Sequence, residues 1–365
     1  MSKKEQYSCG CSAKSVNNRY YSIPVTGSIA TGAGNIDVVS TKWSFGDHAG
    51  EVKVRLDMDR MDYAIKPGVY AVGKPDSSSP VLVSANYKLS FDVLRRELEG
   101  LNVWILVIDS KGVNVWCAAG KGTFGTEELV SRVKETALEK IVSHRKLIVP
   151  QLGAPGISAH VVQKECGFQV VYGPVRASDI KKYIGDGFTA AAGMRRVEFG
   201  FIDRLTVSWL ELALTIKAAI LGTIFLAGLI VLTLWIPALT PLRYEARLLP
   251  VLFWASILSG TILNAIFLPY IPGRAFSFKG GLLGSLVCAW IIYTATGHLP
   301  VISQVSLILI GSGISAFLAL NFTGASTFTS LSGVKKEIRY SIPVISVMVS
   351  SGILLESAHI VWRLL

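Results

Sequence analysis

Beyond Asp203 the chain changes character. Five long apolar runs follow one another, at about 212–236, 248–272, 278–297, 299–320 and 341–362, with most charges confined to the segments between them. Each approaches the roughly 20 apolar residues that carry a helix across a hydrocarbon core. A chain that is 51% hydrophobic with a mean hydropathy of +0.47 is too apolar for an ordinary soluble protein. The third and fourth runs are separated by Gly297-His298-Leu299-Pro300, which demands a tight hairpin. Residues 1–204 instead carry most of the charge and alternate short strands with amphipathic helices. The expected organisation is a flexible N-terminal segment (1–40), an α/β domain (41–204) and an all-α membrane domain of about five transmembrane helices (205–365).

The formal charge of +11 does not imply nucleic acid, because the Lys and Arg are scattered, with no basic helix or basic–aromatic stripe. Cytoplasmic loops of membrane proteins accumulate such residues. Arg274 and Lys279 follow the second run and Lys335, Lys336 and Arg339 the fourth, against Arg243, Arg247 and Arg363 on the other side. Met1-Ser2-Lys3-Lys4-Glu5 opens without the apolar core of a signal peptide. These features place the α/β domain in the cytoplasm, on a multi-pass inner-membrane protein whose carboxyl end is outside. Glu356 and His359 lie within the last run, as an intramembrane functional pair or as interfacial anchors.

Within the α/β part, residues 51–56 alternate as a strand, followed by strands at Gly68–Val72 and 81–83. Ser90 caps a helix over 90–99, with Phe91, Leu94 and Leu98 on one face and Gly100 at its end. Strands at Val103–Ile108 and 113–116, a helix over 127–144, and strands at 147–149 and Gln169–Tyr172 complete the pattern. Alternation of this kind predicts a Rossmann-like layered sheet.

The run Asn114-Val115-Trp116-Cys117-Ala118-Ala119-Gly120-Lys121 puts a lone cysteine at the end of the 113–116 strand. Gly122, Gly125 and the acidic helix start Thr126-Glu127-Glu128 come next. In open α/β sheets ligands bind at that edge, although a cysteine in apolar surroundings also reads as a small buried hydrophobe. Ser84 and Asn86, Gly153, and Gly173 stand in loops that a doubly wound sheet brings to the same edge, and that also suit ordinary turns. No Walker loop occurs and no GxGxxG follows a strand in frame, which argues against a nucleotide. Of the five cysteines, Cys9 and Cys11 form a CxC pair that grips a soft metal or is incidental. Cys166 and Cys288 read as packing residues, and a reducing compartment gives no reason for disulfides.

Residues 114–121 closely resemble the signature of the membrane-bound corrinoid protein of the bacterial and archaeal mercury-methylation pair. Residues 79–91 and 321–334 resemble stretches shared with the large subunit of the corrinoid iron–sulfur protein of acetyl-CoA synthesis, and the likeness runs over roughly residues 41–365. The resemblance implies a cobamide, a B12-type corrinoid, with the Cys117 thiolate as lower axial ligand to cobalt and residues 114–121 around it. Ala118, Ala119 and Gly120 would then let the backbone approach the flat corrin face. Trp116 would wall the pocket or belong to the core, Asn114 would fix the loop, and Lys121 would meet corrin amides, a phosphate or solvent. The histidine route of another B12 class is closed: none of the five histidines stands two residues after an Asp.

By the same resemblance the chain transfers a methyl group from methyl-Co(III) to inorganic Hg(II), producing methylmercury. The methyl donor is expected to be a methylated folate-type carrier. Electrons are expected from a small ferredoxin-like partner with two 4Fe–4S clusters, in keeping with the absence of a four-cysteine cluster motif in this chain. Two other readings stay open. One is a membrane-anchored corrinoid methyl carrier for another acceptor in acetyl-CoA-like one-carbon metabolism. The other is a non-enzymatic soft-metal carrier using Cys9, Cys11 and Cys117.

Overall fold

The computed structural model describes residues 20–295, 299–325 and 331–365. The described residues divide into two compact units, one of residues up to Val54 with Met58–Val197, the other of Arg55–Asp57 with those from Glu198 onward.

The first unit is a mixed α/β layer. Its elements are β1 (Val25–Thr31), β2 (Gly34–Val39), α1 (Phe45–Arg55), β3 (Gly68–Val72), β4 (Val81–Ala85), α2 (Lys88–Glu97), β5 (Val103–Ile108), α3 (Val115–Lys121), α4 (Thr126–Glu135), β6 (Lys146–Val149), α5 (Ala159–Cys166), β7 (Gln169–Tyr172) and α6 (Ile180–Gly185). The strands form one sheet in the order β1-β2-β3-β5-β4-β6-β7. β5, β4, β6 and β7 run parallel, whereas β3 is antiparallel to β5 and β1–β2 is an antiparallel hairpin.

Strand alternation builds two cores. Val81, Val83, Trp104, Leu106 and Ile108 pack with Ala118, Phe124, Leu129 and Val162 from the α3–α5 side. Leu82, Val103, Ile105 and Val107 pack with Phe91, Leu94, Leu98 and Tyr183 on the opposite face. Every residue of β5 is buried, as a strand covered on both faces requires. Because β4 lies between β5 and β6, chain direction across the sheet reverses there. In doubly wound sheets the loops that leave the strands at such a reversal, here those after β4 and β6, flank the crevice that holds ligands.

Several sequence expectations need correction. Residues 51–55 are helical, and Leu56 lies in the turn that follows. Ser44 and Asp47 cap α1 reciprocally, Ser44 N–H donating to Asp47 Oδ2 at 2.8 Å and Asp47 N–H to Ser44 Oγ at 3.2 Å. The apparent alternation misled because Val54 is buried while Val52 is exposed. The segment 1–40 is not wholly a flexible lead-in: β1 and β2 lie within it and extend the sheet, while residues 1–19, with Cys9 and Cys11, fall outside the described residues. The second helix starts at Lys88, not Ser90. The 127–144 helix stops at Glu135, where the Thr136 hydroxyl bonds back to Arg132 O at 2.7 Å and Ala137 turns to positive φ.

The second unit is helical: α7 (Phe201–Trp235), α8 (Arg243–Leu258), α9 (Asn264–Phe267), α10 (Phe276–Thr294), α11 (Val301–Asn321) and α12 (Leu331–Leu364). A π-helical turn at Ser259–Leu263 joins α8 to α9. Among the described residues, five helical stretches are long and apolar enough to cross a membrane: Phe201–Trp235, Pro237–Phe267, Phe276–Thr294, Val301–Asn321 and Ser332–Leu364. Four of them begin earlier than the apolar runs suggested, since segments such as residues 201–211 continue the helices, and the fourth begins two residues later, at Val301. The α10–α11 contact is built on small residues, as in lipid, where close backbone approach replaces hydrophobic drive. Ser312 Oγ donates to Gly281 O at 2.8 Å and Ser315 Oγ to Gly280 O at 2.6 Å. Cys288 is fully buried beside Ser256 in this packing.

Candidate functional site

The cysteine motif is helical, not a strand end. Asn114, in extended conformation, is the N-cap of α3, and its side-chain oxygen accepts the Cys117 N–H at 2.9 Å. Upstream, Ser110 Oγ donates to Val113 O at 2.6 Å, which turns the chain out of β5 before α3 begins. Period-2 reading of 113–116 missed a helix of only two turns whose signal was Asn three residues before the backbone N–H it caps. Gly122 closes α3 in the left-handed region (φ +83°).

This capping leaves Cys117 in the first turn with its thiol exposed, against the buried-hydrophobe alternative. Trp116 beside it is 42% exposed, which places it outside the core. Val115 packs against the core from a partly buried position. Ala118 and Ala119 are buried under the helix, while Gly120 and Lys121 are exposed. A side chain built at Gly120 would meet nothing within 4 Å. Residues three apart share a helix face, and Cys117 and Gly120 are both exposed on it.

The other sequence candidates support the loops from beneath. Asn86, 2% exposed, follows β4 and organises the loop after β5. Its Oδ1 accepts from Ser110 N–H at 3.0 Å, Ser110 Oγ at 2.9 Å and Gly112 N–H at 3.0 Å, and its Nδ2 donates to Asp109 at 3.0 Å. Partial burial raises the Asp109 carboxyl, but hydrogen bonds from the Lys111 ammonium and N–H outweigh it and hold the group below its ordinary range. Ser84 is buried within β4, its hydroxyl on Ala85 O at 3.3 Å, and offers no surface to a ligand. At Gly153 a Cβ would stand 2.5 Å from the Phe124 ring. Gly173 N–H bonds to Val149 O at 2.8 Å, and its own Cβ would press on Ile148. Both glycines permit close packing below the crevice.

Two features escaped the sequence reading. Phe124 is fully buried and fills the space between α3 and the loop after β6, where Gly156 approaches both Phe124 and Ala119. Just past α3 lies a cleft of about 620 Å³, lined by Asp109, Lys111, Thr123, Thr126 and Glu128 among others. The Thr123 hydroxyl is buried there without a hydrogen-bond partner among the described residues. Cys117 lies outside this lining. Cys166 donates to Val162 O at 3.2 Å inside α5, a structural role. Among the described residues no group of three or more His, Cys, Asp or Glu side chains is placed to hold a metal ion.

Comparison with known proteins places this unit. Residues 58–184 match the family described as CO dehydrogenase/acetyl-CoA synthase delta subunit. The matched stretch contains β3 to β7 with the loops above, and includes Asn86, residues 114–121, Gly153 and Gly173. The chain is 32% identical over 122 residues to the acetyl-CoA decarbonylase/synthase complex subunit gamma of Methanopyrus kandleri, covering 33% of this chain and 26% of that one. It is 28% identical over 127 residues to the same-named subunit of Archaeoglobus fulgidus, covering 34% and 27%. It is also 28% identical over 111 residues to the corrinoid/iron-sulfur protein large subunit of Moorella thermoacetica, covering 30% and 24%. The chain thus spans about a quarter of the length of these curated relatives, and it is related through this segment to a corrinoid/iron-sulfur protein and to subunits of acetyl-CoA complexes.

Proposed function

We propose that the α/β unit binds a cobamide, that Cys117 would supply its thiolate to the cobalt, and that the protein transfers a methyl group to inorganic Hg(II). The observation that carries the reading is the exposed Cys117 thiol, held in the first turn of α3 within the segment related to a corrinoid/iron-sulfur protein. A cobamide, when bound, supplies a metal centre that carries and releases a methyl group.

The chain's own part is positional. Asn114 fixes the Cys117 backbone, Ala118 and Ala119 seat α3 against the core, and Gly120 leaves the neighbouring surface free. A thiolate is a soft, electron-rich donor suited to cobalt. Asn86 and Asp109 hold the loop leading into α3. The exposed Lys121 is placed for corrin amides or a phosphate, with Trp116 flanking the ligand. Of the four other loop candidates, Asn86, Gly153 and Gly173 act from below the crevice, and Ser84 is withdrawn from contact.

The helical unit anchors this site to a cytoplasmic membrane, with the α/β unit inside and the carboxyl end outside. That orientation rests on the Lys and Arg of the 274–279 and 335–339 segments. A ferredoxin-like protein with two 4Fe–4S clusters would return electrons, and a methylated folate-type carrier would supply methyl groups. A second reading, methyl carriage to another acceptor in one-carbon metabolism, is favoured by the relatives' names.

The deciding experiment uses the full chain in detergent, loaded with cobamide and a ¹⁴C-methyl donor, and offers Hg(II)–thiol complexes or alternative thiol acceptors. Label appearing in methylmercury, and lost with Cys117→Ala, supports the mercury reading. Label passing only to other acceptors supports the second.

A further inference from the structure

In the helical unit, a cavity of about 890 Å³ opens at the end shared by α9, the start of α10 and the first turns of α12. Leu268, Arg274, Phe276, Lys279, Lys336 and Tyr340 are among its lining residues, together with Glu337. Three cations thus face one carboxylate. Glu337 is already engaged, its Oε1 accepting the Ser277 N–H at 2.8 Å and the Ser277 hydroxyl at 3.0 Å at the start of α10.

Lys279 is the unusual member. It is 9% exposed, and its ammonium donates to a backbone carbonyl, Leu268 O, at 2.6 Å. The carboxylate that acts on this ammonium, Glu337, is already bonded to Ser277, so the ammonium keeps donors that no acceptor among the described residues fills, which is costly unless an anion completes the site. Arg274 and Lys336 are exposed at the mouth and have no ion pair among the described residues. Phe278 and Tyr340, 57% and 63% exposed, stand at the same end, an amphipathic border of the kind aromatic residues form at a membrane surface.

We propose that this cavity binds the phosphate headgroup of an anionic phospholipid, with Lys279 as the buried donor and Arg274 and Lys336 as the outer clamp. A lipid is the source the position favours. The cavity lies at the ends of helices long and apolar enough to span a bilayer, beside exposed apolar surface on which acyl chains can lie. Basic recesses between such helices recognise anionic headgroups. The inference rests on the membrane reading of the helical unit and is independent of the cobamide.

The test is lipid retention by the full-length protein, extracted in mild detergent from membranes and analysed by native mass spectrometry after exchange with phosphatidylglycerol or phosphatidylcholine. The wild type should retain one phosphatidylglycerol and at least tenfold less phosphatidylcholine. Arg274→Gln combined with Lys336→Gln should lower retention about tenfold, whereas Arg247→Gln, outside the cavity, should not. Both changed residues are exposed, so folding is preserved, and the thermal midpoint confirms it. Equal retention of the two lipids, unchanged retention in the double variant, or displacement of the lipid by 10 mM inorganic phosphate would overturn the proposal. A protein that leaves membranes without detergent would overturn the membrane reading itself, a distinguishable outcome.

Discussion

The Cys117 N–H points at the Asn114 side-chain oxygen 2.9 Å away, so the residue that starts α3 also fixes the backbone carrying the exposed thiol. Removing an N-cap of this type costs about 1 kcal/mol. Asn114→Ala should therefore speed hydrogen exchange at residues 118–121 roughly fivefold, since RT ln 5 is about 1 kcal/mol. Asn114→Asp should leave it near wild type. Equal exchange in Asn114→Ala would show that the cap does not hold α3.

The floor beneath α3 is the second test. Gly153→Ala introduces a methyl group that would sit 2.5 Å from the Phe124 ring, an overpacking that costs about 1–3 kcal/mol. The variant should unfold at lower temperature and bind cobamide more weakly, because Phe124 backs Ala118 and Ala119 in the same core. Gly120→Ala, with open space around the new methyl, should leave stability within a few tenths of a kcal/mol.

A buried ionic cluster ties α1 to α2. Lys88 Nζ lies 2.8 Å from Asp47 and 2.5 Å from Asp92, and Arg95 pairs with both carboxylates at 2.8 Å. Burial pushes the Asp47 carboxyl up, but hydrogen bonds from Lys88 and Ser44 overcome this and hold it well below its ordinary range. Its folded pKa lies well below its unfolded one, so this stabilisation is complete above about pH 5, begins to fall near pH 4 and is lost progressively as pH drops on toward the folded value. Trp43, whose indole donates to Asp92 O at 2.8 Å, reports the change by fluorescence. Asp47→Asn should cost about 3 kcal/mol at pH 7 and flatten the acid limb of the stability curve. An unchanged acid limb would refute the role given to Asp47.

Asn264 follows the π-helical turn and is fully buried, with neither amide atom partnered among the described residues. Leaving such a group unpaired costs about 1–3 kcal/mol. Asn264→Leu, similar in volume, should thus raise the thermal midpoint of the detergent-solubilised protein. A lower midpoint would mean that the amide serves a bound group.

The layered sheet and the apolar helices were legible because their signals are long and redundant. The 103–108 strand is apolar throughout, and the five runs are each about twenty residues. Short elements were not. The 51–56 alternation concealed a helix fixed by the Ser44–Asp47 cap, and residues 113–116 looked extended although Asn114 starts a helix there. Residues 25–39, polar and glycine-rich, gave no strand pattern because β1 is an edge strand with mostly exposed side chains. At the site, the cysteine and its small neighbours were readable from type and spacing. The tie from Asn86 to residues 109–112 was not, because it joins loops more than twenty residues apart. The same hairpin bears on practice: a fragment beginning at residue 41 would strip β1 and β2 from the sheet.

The central claim is thiolate ligation by Cys117. It is tested most directly by the visible spectrum of full-length protein reconstituted with Co(III) cobalamin, beside Cys117→Ala prepared identically. The account predicts a shifted spectrum for the wild type and its loss in Cys117→Ala, with Asn114→Ala between the two. Identical spectra for wild type and Cys117→Ala, or failure of the wild type to retain the corrinoid, would contradict it.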